Sequence, residues 1–205
     1  RIRRLRFYTP EERPELEREL YNVEQAANAA EQLKDTYTKV MTVLCQMKDI
    51  RTSLRRCAAG ETPDHVELFE IKGYLQRLEN LRPLFDEINA VTRFDGLSFH
   101  DPKPALAVLD PDKTGSRGFY IPDSATVRLK EIRQAKKDVE ERLFHAQTDA
   151  EKDDLRLKRT HLCAEEDSEE MKVRKSMAAA LAPMVDDLLS DADAAGRLDF
   201  IIQKA

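Results

Sequence analysis

Between Asp123 and Ala182 the chain contains neither a glycine nor a proline. Those two residues punctuate most tight turns, so this run of about 60 residues has few means of turning and is read as long helix. Directly before it lies a short strand-like passage, Ala105 to Ile121, which leads into Pro122-Asp123-Ser124. The order predicts a compact part that hands over to a long helical one, a core with an arm. No set of residues has the form of a catalytic constellation. The expected role is therefore mechanical, an arm that transmits position between sites.

Composition supports helix over sheet. Only six glycines occur in 205 residues, too few for a fold built on many tight turns. Glu, Lys, Arg, Leu and Ala dominate, which is the composition of long helices. The predicted fold is all-α: a helical core over residues 1–123 with one small β-hairpin near 105–121, then a long helical lever arm over residues 124–205 that returns to the core. The net charge of −5 argues against a bulk nucleic-acid binder. Three widely spaced cysteines, Cys45, Cys57 and Cys163, fit a reduced, cytoplasmic chain better than a disulfide framework. No apolar run approaches the ~18 residues needed to span a bilayer, so no membrane partner is expected. The chain opens with Arg1 and ends in the middle of a helical pattern, and reads as a piece of a longer protein.

Local signals place the core helices. Arg1 to Tyr8 is a basic arm or a short strand. Thr9-Pro10-Glu11-Glu12 and Thr62-Pro63-Asp64 are helix starts, each with a capping side chain. Val66 to Leu81 carries a broad apolar face, which predicts burial on more than one side, and Pro83 is expected to break that helix. Ala105 to Asp110 and Phe119 to Ile121 read as hairpin strands around the turn Pro111-Asp112-Lys113-Thr114-Gly115.

The arm has two possible shapes. Leu143, Ala150, Leu157, Ala164, Met171 and Ala178 recur at every seventh position, a register that would suit one continuous helix. The alternative is an antiparallel hairpin turning near 162–167. Lys158, Arg159 and His161 suit a helix C-terminus, and Glu165 to Glu170 suit a new N-terminus. A lone helix with so thin a seam has little to pack on, so the hairpin is preferred, with its tip near Cys163.

Chemistry-bearing motifs are absent or fail on inspection. There is no GxxxxGK[ST] phosphate loop, so no nucleotide hydrolysis is expected. Asp110, Asp112, Thr114 and Gly115 begin like a calcium loop, but the twelfth position is Ile121 where a glutamate is required. His65, His100, His145 and His161 lack ligand spacing, so no metal or cofactor is expected in this chain. Lys152, Arg156, Lys158 and Arg159 crowd the approach to the expected arm tip. They fit either an ordinary charged helix face interleaved with Asp153 and Asp154, or loose contact with DNA phosphates.

Several strings taken together resemble one family. They are Glu67 to Lys72, Leu109-Asp110-Pro111-Asp112, Phe119 to Ala125 leading into Leu129-Lys130-Glu131-Ile132-Arg133, and Gly196 to Ala205. Their order and spacing resemble the core and lever region of the MutS DNA mismatch repair family, especially its shorter bacterial members, over roughly residues 48 to 205. That resemblance implies a parent protein that closes a homodimer around double-stranded DNA. It also implies ATP and Mg²⁺ bound in a separate, C-terminal ATPase domain. The family's G-x-FYE mismatch-reading motif has no counterpart, because Gly118-Phe119-Tyr120-Ile121 lacks the glutamate. No strand-rich clamp separates the arms either. What the resemblance implies is thus the lever. The alternative reading is a coiled-coil scaffold or protein-interaction module with no nucleic-acid role.

Overall fold

In the computed structural model, residues 8–112 and 118–205 are described. Arg1 to Phe7 and the expected turn residues Lys113, Thr114 and Gly115 lie outside them. The structure is 79% helical with no strand among the described residues, so the all-α class holds.

Four helices make the first part of the core. After a 3₁₀ turn at Pro10–Glu12 come α1 (Arg13–Asn28), α2 (Lys34–Gln46), α3 (Arg51–Ala58) and the long α4 (His65–Thr92). Thr9 N–H donates to the Glu12 carboxylate at 3.0 Å, the return bond of a capping box. Asp64 and Glu67 do the same at α4: Glu67 N–H donates to Asp64 at 2.7 Å and Asp64 N–H to Glu67 at 2.9 Å. The wide apolar face of α4 is buried as expected, through Leu68, Ile71, Leu75, Leu78, Leu81, Phe85 and Ile88.

Pro83 does not break this helix. It sits inside α4, which continues to Thr92. A mid-helix proline costs ~3 kcal/mol in a solvated helix. Here buried residues on both sides of it, Leu81 and Phe85, hold the two halves to the same core and offset that cost.

The predicted β-hairpin is not formed among the described residues. Ala105 to Leu109 belong instead to the helix α5 (Lys103–Leu109). Pro102 and Pro104 stand at its start, where a helix tolerates them, and Ala105 and Leu109 are buried one turn apart. A run of five apolar residues has no period of its own, and the prolines decided it. Phe119 to Ile121 form no strand; Ile121 is buried, Phe119 half-buried and Tyr120 exposed.

A short 3₁₀ turn at Asp123–Ala125 then leads into α6 (Val127–His145), α7 (Asp149–Leu181) and α8 (Val185–Lys204). The arm is a helical hairpin, but its turn lies at Ala146–Thr148, not at 162–167. The charge reversal from Lys158 to Glu170 sits within the unbroken α7, where the acids of its second half are drawn toward basic residues of α6. From Val173 onward α7 enters the core, and α8 packs against α1, α2 and α3. Pro183 falls in the 3₁₀ turn at Ala182–Met184 and starts the last segment.

Candidate functional site: the arm, its root and its tip

The arm has two ends of different character. At its root, Thr126 caps α6, its hydroxyl accepting from Leu129 N–H at 3.0 Å and donating to Glu169 of α7 at 3.1 Å. About two turns beyond Thr126, α6 presents Arg133 inward. Its side chain is 6% exposed, and every donor nitrogen is used. Nη1 donates to Asp123 at 2.5 Å and to the Ile121 carbonyl at 2.8 Å; Nε donates to Glu166 at 2.9 Å and Nη2 to Glu170 at 2.7 Å. The Tyr120 ring lies 4.5 Å from the guanidinium carbon, a cation–π contact.

This node joins four pieces of chain. Asp123 and Ile121 belong to the connector, Arg133 to α6, and Glu166 and Glu170 to α7. Glu170 also reaches His65 Nε2, at the start of α4, at 3.2 Å. Lys136 pairs with Glu166, and Arg128 with Glu165 at 2.6 Å. Burial alone disfavours the Arg133 charge, but its bonds to Asp123, Glu166 and Glu170 outweigh that and hold it protonated. The Arg133 bond in turn holds the Asp123 carboxyl below the ordinary range. Glu166, penalised by burial, is still held below it by Lys136 and Arg133.

Above the root the seam thins. Between Asp149 and Lys172, Leu155 is the buried side chain of α7. The seven-residue series read from sequence does not line the seam: Leu157 is 59% and Met171 55% exposed. The tip is the turn Ala146–Thr148, where Thr148 accepts from Glu151 N–H at 3.3 Å and starts α7. Phe144 beside it is 86% exposed and packs edge-on against the His145 ring, with centroids 5.2 Å apart.

The four basic residues singled out in the sequence all lie on the distal half of α7. Lys152 stands in the second turn from the tip. Arg156 pairs with Asp153 at 3.1 Å, Lys158 with Asp154 at 2.8 Å, and Arg159 with Glu140 of α6 at 2.8 Å. Over residues 140–159 the cations Arg142, Lys152, Arg156, Lys158 and Arg159 meet the acids Glu140, Glu141, Asp149, Glu151, Asp153 and Asp154, so the tip carries no excess positive charge. Sequence reading missed the Arg133 node and the exposed Phe144. The available signal for the first was a pair of acids four apart, Glu166 and Glu170, at seam positions where an apolar residue is the norm.

A second polar pair lies in the core. Asp191 of α8 is fully buried, and one of its oxygens accepts from the His100 backbone N–H at 2.9 Å and lies 2.9 Å from the ring Nδ1. Among the described residues no group of three or more His, Cys, Asp or Glu is able to hold a metal, and no helix is long and apolar enough to cross a membrane. No protein-family model matches the chain, and no curated protein matches it in sequence.

Proposed function

We propose that this chain is the core and lever module of a MutS-like, DNA-engaging ATPase. One observation carries the mechanical part: α7 runs without interruption from the arm tip into the core, so a displacement at either end is delivered to the other. The order of the motifs supports the rest. Asp123-Ser124-Ala125 forms the turn that enters the outgoing arm helix, and Gly196 to Ala205 lies in the helix that returns to the core. In this reading the chain is not itself an enzyme. ATP and Mg²⁺ bind a neighbouring ATPase domain, the parent acts as a homodimer, and the partner at the arm tip is double-stranded DNA.

Contact with DNA requires Arg156, Lys158 and Arg159 to exchange their carboxylate partners for phosphates, a cheap exchange for exposed pairs. The local pairing of these same residues favours the second reading, a helical scaffold that binds protein. Fluorescence anisotropy with a labelled duplex separates the two. The first reading expects binding that weakens with salt, and a smaller salt slope when Lys152, Arg156, Lys158 and Arg159 are all changed to Ala. Absence of binding at low salt, or an unchanged slope, supports the scaffold.

A further inference from the structure

The seven-residue apolar series that fails to line the arm seam has a second place to go. Leu157 lies about 200° around the helix from the buried Leu155, so the series faces away from α6. A seven-residue repeat drifts only ~20° per step on a straight helix, so Ala150, Leu157, Ala164 and Met171 form one exposed stripe over three steps. Exposed large apolar side chains repeated along one face of a long helix are the pattern of a helix-pairing surface.

The sequence of that stripe selects its partner. It alternates small and large, so a copy laid antiparallel sets Leu157 over the partner's Ala164 and Met171 over the partner's Ala150. Large side chains then meet small ones at every layer. The charges beside it follow the same symmetry. Glu151, Lys158, Glu165 and Lys172 alternate in sign along one flank. The same antiparallel alignment brings Glu151 within two residues, about 3 Å of rise, of the level of the partner's Lys172, and Lys158 equally near the partner's Glu165. On the other flank Asp153 and Asp167 oppose each other, and Arg156 lies within one turn of both. A parallel alignment in register would instead stack Glu on Glu and Lys on Lys.

The face is free to accept a copy. Among the described residues Lys158, Lys172 and Glu165 pair with Asp154, Glu169 and Arg128, at side-chain exposures from 49% to 72% for the three residues. Below Met171 the next position of the series, Ala178, is buried in the core, so the stripe that can accept a copy runs from Ala150 to Met171. We infer that two copies of this chain pair through the outward faces of α7, antiparallel, about a two-fold axis beside His161. The interface is short, at the low end of the range below ~1,200 Å² typical of transient contacts. This inference stands on the chain alone and does not depend on the MutS-like reading or on DNA.

Sedimentation of the whole chain over a concentration series, with spin labels on a background where Cys45, Cys57 and Cys163 are replaced by Ser, tests it. The expected result is a reversible monomer–dimer equilibrium. A label at residue 161 then shows strong dipolar broadening, because paired helix axes lie ~8–10 Å apart. A label at residue 147 lies about 40 Å from its copy. Leu157→Glu should weaken association about tenfold or more, a penalty of ~1.4 kcal/mol or above, while the far-UV spectrum and the unfolding midpoint of the monomer stay unchanged. A sample that stays monomeric up to ~0.5 mM overturns the proposal. So does broadening at residue 147, which marks a parallel pair, and so does a dimer indifferent to Leu157→Glu.

Discussion

Arg133 is a single side chain on which the attachment of the arm depends. Removing it leaves three carboxylates, Asp123, Glu166 and Glu170, facing one another in a half-buried site. Breaking a buried ion pair from one side costs ~3–5 kcal/mol, so Arg133→Leu should lower unfolding stability by about that much in denaturant titration. Arg133→Lys keeps the charge but loses the forked donors and should fall between the two. The same node fixes a response to acid. Asp123 and Glu166 are held below their ordinary values in the folded state. Their contribution is thus complete above the unfolded carboxylate range, near pH 4–4.5, and is lost as pH falls through the lower folded values. His100 has the opposite sign. Its hydrogen bond to Asp191 raises its ring above the ordinary value. That contribution is complete below the unfolded value near pH 6.5, and it fades as pH rises through the folded one. Thermal unfolding followed from pH 5 to 9 should show the alkaline loss in the native chain and not in His100→Gln.

At the scale of elements, the two arm helices are held above the root by few buried contacts, and Leu155 is the chief one. Leu155→Ala should cost ~2–4 kcal/mol, whereas Leu157→Ala, two residues away, should stay within ±0.5 kcal/mol for the monomer. The position of the turn is open to a direct distance measurement. Spin labels at residues 140 and 159 sit across the hairpin where Arg159 meets Glu140, and should read within about 20 Å. Were they on one helix, as a turn near 162–167 requires, ~1.5 Å per residue would separate their backbones by about 28 Å before the length of the labels is added. Much of this layout was legible in the residues. The helix starts at Thr9 and Asp64, the wide face of α4 and the return of the arm all follow from capping chemistry and apolar spacing. The turn of the arm did not, because Ala146-Gln147-Thr148 carries no glycine or proline. The stronger-looking charge reversal belongs to bonds across to Arg128, Arg133 and Lys136, which local spacing cannot show. The hairpin was misread for a related reason. Five apolar residues in a row are silent on period, and only Pro102 and Pro104 named the helix.

For the molecule as a whole, burial is unequal along α7. Val173, Met177, Ala178 and Leu181 are buried in the core, and the distal half offers Leu155. Hydrogen exchange should therefore run faster at amides 150–165 than at 173–181, since local stability tracks buried contact. Equal protection along the helix would show that the arm is as firmly held as the core. The unbroken course of α7 also sets a mechanical ratio. From Asp149 to Glu170 the helix measures about 30 Å, so a tilt of about 5° at the Arg133 node swings Phe144 and the tip through about 3 Å, the length of a hydrogen bond. By the same ratio a modest sideways force at the tip arrives at the root as a torque concentrated on the three salt links of Arg133. The place where this protein yields to load is thus fixed in advance by a single guanidinium.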